Sequence, residues 1–198
     1  MTAEPDSALH ADAAHPSRRE QILQAAARLF AERGSRSVGV DDIGAAVGVT
    51  GPAIYRHFAG KDAMLAEMLL RISERLLAGA EQVLADAGDD PAAQLAGLIA
   101  FQVDFALDNP ALITVQDRDL GALAEADARQ VRRLQRRYVE HWVGVLAALS
   151  PGSSTADCRA RAHALFGLIN STPHSGGRLS RPVMQARLTA MALAAATA

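Results

Sequence analysis

Aromatic side chains make up only 4% of the 198 residues, and the chain has one cysteine, one lysine and one tryptophan. With Cys158 alone no intrachain disulfide can form, and nothing points to an oxidising compartment. No run approaches the roughly 18 apolar residues of a membrane span, and the first 16 residues carry acids but no apolar stretch of a signal peptide. A cytoplasmic protein without a membrane partner is expected. Strand-like alternation and internal repeats are missing too. There is no G-x-S-x-G, no P-loop and no nucleotide-fold glycine pattern, so no enzyme activity and no cofactor are expected. His141 and His163 could be imagined as metal ligands with Asp104 or Cys158. No pair has compact ligand spacing, so no metal site is expected.

What remains is a helix-forming chain. Hydrophobic residues reach 49%, most of them Ala, Leu, Val and Ile, and such a mixture with few β-branched runs favours helix throughout. Residues 1–16 are polar and aperiodic, as in a flexible N-terminal tail. Ser17 and Glu20 have capping-box spacing, and an apolar stripe of Ile22, Leu23, Ala26, Leu29 and Phe30 follows up to Gly34. A short helix over about Val40–Val47 and a turn at Gly48–Val49 lead to a third helix, capped by Thr50 with Pro52 in its first turn. The spacing then predicts helices over about 61–86, 90–109, 112–115, 122–149, 155–171 and 181–196. The fold class is all-α with about nine helices. A helix-turn-helix domain at 17–61 is followed by a larger helical bundle at 62–198.

Charge is uneven along this chain. The net charge is −2, yet Ser17–Lys61 holds seven basic residues and four acids, which makes this segment +3 and the remainder about −5. A basic end on an acidic body suits contact with an anion. That end contains two helices joined at a glycine, the form of a DNA-binding helix-turn-helix, although helical hairpins are common in ordinary bundles. Ile43, Val47, Ile54 and Phe58 would lock the pair together and onto Leu29 and Phe30. Thr50, Tyr55 and His57 would stay on the outer face or its edges.

Val49-Thr50, Ile54-Tyr55-Arg56-His57-Phe58 and Lys61 resemble the signature of the tetracycline-repressor (TetR/AcrR) family of transcriptional regulators. Phe30-Ala31-Glu32-Arg33-Gly34 and Asp42-Ile43 extend the resemblance over about residues 18–70. Beyond residue 70 it is architectural. It implies a homodimer that binds a palindromic operator in double-stranded DNA. The implied DNA-binding positions are Thr50, Gly51, Tyr55, Arg56, His57 and Lys61, with His57 and Lys61 as phosphate clamps. The sequence departs from the pattern at Gly39, which offers no hydroxyl to a phosphate. Gly51, Pro52 and Ala53 offer no side-chain hydrogen bond to a base edge, so direct readout must be sparse.

The resemblance also implies a sensor cavity in the middle helices. Phe101/Phe105 and Tyr138/Trp142 are i,i+4 pairs, and with Phe166 they are the aromatics outside the first domain. Each serves equally as core packing. As a set they are expected to bind a small hydrophobic effector, with Gln102, Asp104, His141, His163 and Asn170 available to orient it. Arg129, Arg132, Arg133, Arg136 and Arg137 share one helical face, either solvated or attracting the phosphates of an acyl-CoA-type effector. The dimer is expected through the last two long helices, with Ala162, Leu165, Phe166 and Ile169 facing Leu188, Met191 and Leu193. The expected function is a repressor released by its effector. The rivals are a ligand-dependent activator of the same fold, and a helical enzyme or interaction module.

Overall fold

The computed structural model describes residues 17–175 and 179–197, and these are helical throughout, with no strand among them. The expected tail at 1–16 lies outside the described residues. The helices are α1 (Arg18–Arg33), α2 (Val40–Val47), α3 (Gly51–Ile54), α4 (Lys61–Ala87), α5 (Pro91–Asp108), α6 (Pro110–Asp119), α7 (Glu125–Leu149), α8 (Thr155–Ile169), α9 (Thr172–Ser175) and α10 (Arg181–Ala196). The expected helices are all there. The one-turn α9 is additional, and α6 extends well beyond the expected 112–115.

Local chemistry fixes most boundaries. At α1 the Glu20 N–H donates to Ser17 Oγ (3.2 Å), and the Ser17 N–H donates to the Glu20 carboxylate (2.7 Å). These reciprocal bonds hold the Glu20 carboxyl below its ordinary range. Asp90 accepts from the amides of Ala92 and Ala93 ahead of Pro91, and Ser154 accepts from the Asp157 amide. At α2 the Asp42 carboxylate accepts the Gly39 N–H at 2.8 Å, the half of a capping box that needs no side chain at Gly39.

α4 is the spine. It packs on α5 and α7, α7 packs on α8, and α10 closes the bundle against α5 and α8. Arg181 fastens α10 to Asp104 and Asp108 of α5, and Arg161 of α8 reaches the Ala196 carbonyl and Ser150. The small N-terminal unit is joined to the bundle by α4 and by α6, which lies along α1. Buried side chains from Ile22 to Ala196 form one continuous cluster, so the expected division at residue 61 is no gap in the core. Among the described residues, no single helix is long and apolar enough to cross a membrane.

Candidate DNA-binding surface and effector cavity

The turn between α2 and α3 depends on two glycines. Gly48 adopts the left-handed conformation (φ 73°, ψ 35°), and the amides of Gly48 and Val49 return to the carbonyls of Ala45 and Gly44 (3.3 and 2.9 Å). Gly44 allows close approach, since a Cβ there would lie 2.7 Å from the Val49 carbonyl oxygen. Ile43 and Ile54 are fully buried and Phe58 nearly so, which holds α3 and the turns after it against α1. The Arg19 guanidinium covers the Phe58 ring at 4.3 Å and forms a two-point ion pair with Glu67 of α4, which Arg71 also meets at 2.7 Å. The Arg19 bond holds the Glu67 carboxyl below its ordinary value despite partial burial.

On that fixed base stand three exposed side chains in a row. Tyr55 is 58% exposed, and neither it nor the exposed Arg56 and His57 makes a side-chain hydrogen bond or ion pair among the described residues. The exposed Thr50 hydroxyl is also unused, although Thr50 stands at the start of α3. Gly51 differs from the other expected contact positions. It is buried against the Asp41 carboxylate, which would have to swing aside for any side chain there. Lys61 differs again, since its Nζ donates to the carbonyls of Ser35 (3.0 Å) and Arg36 (3.1 Å). It is first a strut under the α1–α2 connection, with one of three N–H groups left for an anion.

Two cavities matter in the bundle. One, of about 330 Å³, is bounded by α4–α8 and has Leu76, Val139 and Phe166 as apolar wall. Its polar side is a chain of hydrogen bonds: Tyr138 Oη donates to Gln102 Oε1 (2.6 Å), and Gln102 Nε2 donates to Asn170 Oδ1 (2.9 Å). Burial pushes the Tyr138 phenol well above its usual value. Among the described residues, Gln116 Oε1 and the Trp142 indole nitrogen are buried without a hydrogen-bond partner. Partial burial raises the Asp117 carboxyl, opposed by His174.

The expected ligand-binding aromatics divide. Tyr138 and Phe166 line this cavity, with their rings stacked at 5.6 Å. Trp142 is fully buried behind them, edge-on to Phe166 at 5.0 Å. Phe101 fills the space beside Gly79 between α4 and α5, and Phe105 faces a different cleft. The site between Phe101/Phe105 and Tyr138/Trp142 is therefore not assembled, because an i,i+4 pair fixes a shared helix face but not the neighbour that face meets. Gln102, His163 and Asn170 do reach the cavity. Asp104 is bound by Arg181 and Gln185, and His141 lies beside Glu81.

Sequence reasoning expected only a short helix at α6 and missed its role. Gln116, Asp117 and Leu120 line the cavity, while Arg118 and Asp119 between them grip the N-terminal unit. Arg118 donates to the carbonyls of Phe30 and Ala31 at the end of α1, and to Asp119 (3.0 Å). The buried Asp119 accepts the Ser35 hydroxyl at 3.0 Å. Only the adjacency of an Arg–Asp pair in the sequence hinted at this.

A family model described as "Bacterial regulatory proteins, tetR family" matches residues 22–68, and one described as "Tetracyclin repressor-like, C-terminal domain" matches residues 88–196. The chain belongs to the TetR family. It is thus a DNA-binding transcriptional regulator, in a family of regulators rather than of enzymes, whose members bind operator DNA as dimers. The HTH-type transcriptional repressor KstR2 of Rhodococcus jostii (strain RHA1) is 33% identical over 143 residues, 71% of this chain and 69% of that one. Other relatives of that name are matched over slightly under two thirds of their length. Among solved structures, a TetR-family regulator from Bordetella parapertussis 12822 superposes with a TM-score of 0.80 at 23% identity, covering 90% of this chain and 95% of that one. AibR, in complex with isovaleryl coenzyme A and operator DNA, superposes with a TM-score of 0.71 at 19% identity over 88% and 97% of the two chains.

Proposed function

We propose that the protein is a repressor, holding a palindromic operator as a homodimer and leaving it when an effector fills the cavity bounded by α4–α8. The observation that carries the DNA half is the row Tyr55–Arg56–His57, exposed and unpartnered on a base held down by Ile54 and Phe58. With Thr50 and the remaining N–H of Lys61, these groups suit phosphate oxygens better than base edges. Gly51 takes part only through its backbone.

The effector half rests on α6. A ligand touching Gln116 and Asp117 presses on the same helix whose Arg118 and Asp119 hold α1 and Ser35. A ligand that fits better with that grip shifted lowers DNA affinity by the same coupling factor. The effector has an apolar body for Leu76, Val139 and Phe166, and a hydroxyl or amide N–H for Gln116 Oε1. Through Gln135, Val139 and His163 the cavity adjoins a cleft bearing Arg132, Arg136 and Arg159. Arg132 and Arg159 have carboxylate partners, and Arg136 has none among the described residues. This basic mouth suits a phosphate-bearing head, so an acyl-CoA-type effector is the preferred class, and the AibR complex supports it by analogy of fold.

The dimer face lies on the outer sides of α8 and α10. Ala162, Leu165, Ile169 and Leu188 are buried within the protomer, so the face named from sequence points partly inward. Left outside are Val183, Met191 and Leu193 of α10, with Ala160, Ala164 and Gly167 of α8 small enough for close helix packing. The test is fluorescence anisotropy on labelled DNA flanking the gene, titrated with hexanoyl-CoA in the wild type and in Arg136→Ala. Release by the thioester, weakened in the variant, supports the reading. An unchanged DNA complex at saturating hexanoyl-CoA contradicts this effector class while leaving the DNA surface standing.

A further inference from the structure

The second cavity lies apart from the first, at the junction of the two units. It is a cleft of about 440 Å³ between α1, α4 and the corner joining α5 to α6. Its floor is apolar, with Leu23 and Ala27 from α1, Met68 and Ile72 from α4, and Phe105 and Leu112 beyond them. Three arginines stand on its rim. Arg71 is engaged by Glu67. Arg28 and Arg75 have no carboxylate partner among the described residues, and the Arg75 guanidinium sits over the Phe105 ring at 5.4 Å. The acid on the rim, Asp108, is already neutralised by Arg181 at 2.9 Å.

An apolar trough of this size lies within the range of small-molecule sites, and two permanently charged guanidiniums at its edge select the charge of the occupant. Phe105 serves both parts, as wall for an apolar chain and as the surface that steadies Arg75. We propose that this cleft is a second ligand site that takes a lipophilic carboxylate. The chain lies between α1 and α4 and the head on Arg28 and Arg75. Because one wall belongs to α1 and the others to α4, α5 and α6, occupancy fixes the spacing between the DNA-binding unit and the bundle. This ligand therefore tunes operator affinity from a place the first cavity does not touch, and the proposal does not depend on the effector class named for that cavity.

The experiment is isothermal titration of the full chain with sodium decanoate, with 1-decanol as the uncharged control. The expected result is saturable decanoate binding. It weakens by about tenfold or more when the head is removed, or when Arg28→Gln and Arg75→Gln are combined, since a charge-assisted pair is worth that much. Ala111→Trp, on the cleft wall, blocks binding by filling the trough rather than by changing charge. Phe166→Ala, in the first cavity, leaves it unchanged. Both arginines are exposed, and a thermal melt of each variant confirms folding. No saturable binding to the wild type overturns the proposal. So does equal affinity in the double arginine variant, or loss of binding in Phe166→Ala, which would place decanoate in the other cavity.

Discussion

Single atoms decide the shape of the DNA-binding unit. Adding a methyl group at Gly44 sets it 2.7 Å from a backbone oxygen that cannot move without shifting the turn. Gly44→Ala is expected to destabilise the protein by roughly 1–3 kcal/mol in urea unfolding, as overpacked sites do. Gly48→Ala, forced into the left-handed region, is expected to cost about 1 kcal/mol. Side chains on the outer surface behave differently. Tyr55→Ala and His57→Ala should leave stability within about 0.5 kcal/mol, since neither side chain has a hydrogen-bond or ionic partner among the described residues, while weakening DNA binding. Lys61→Ala should do both, losing about 1 kcal/mol of stability with its bonds to Ser35 and Arg36. A Lys61→Ala protein as stable as the wild type would contradict the strut. The sequence marks Gly48, Thr50 and Tyr55–His57 clearly, because turn chemistry and capping are local. It could not show that Gly51 is shut against Asp41 or that Lys61 is already engaged, since those partners lie ten and about twenty-five positions away.

At the scale of elements, two side chains stand out among the polar contacts that join the units. Glu67 links α4 to α1 through Arg19, and its carboxyl is held below the ordinary value near 4.5. A depressed carboxylate contributes stability that is present above that ordinary value and lost as pH falls through the lowered one. The stability difference between wild type and Glu67→Gln, about 1 kcal/mol for a two-point pair in a network, should hold constant above pH 5 and shrink below pH 4. A difference that instead grew towards acid would show the sign to be wrong. Arg118 is the second contact. Arg118→Ala frees two carbonyls of α1 and leaves Asp119 buried with only the Ser35 hydroxyl, so a loss of about 2–4 kcal/mol is expected. If α6 transmits occupancy, the variant should also bind effector nearly as well yet release DNA less. The length of α6 was not legible, because its last turn is stabilised by α1 rather than by its own sequence pattern. The aromatic pairs were legible as pairs only. Their i,i+4 spacing holds, but Phe105 turned towards α1 and α4 whereas Tyr138 turned towards Phe166.

For the whole molecule, the protomer shows where it is incomplete. Apart from Tyr55, the large hydrophobic side chains left exposed among the described residues are Leu149, Leu179, Val183, Met191 and Leu193, and all but Leu149 lie on or just before α10. Met191→Glu with Ala190→Glu should give monomers in sedimentation velocity without unfolding the bundle. A discrete dimer in that variant would place the interface elsewhere. Monomers should also lose tight operator binding, because two α3 segments must be held at a fixed spacing to meet successive half-sites. The measurement that tests the central claim most directly is fluorescence anisotropy of the flanking DNA at several salt concentrations, with wild type and with Tyr55→Ala/His57→Ala. The account expects wild-type affinity to fall steeply as salt rises, and the double variant to bind at least tenfold more weakly with a shallower slope, since phosphate contacts release counterions. Full affinity in the double variant, or a wild-type affinity indifferent to salt, would contradict it.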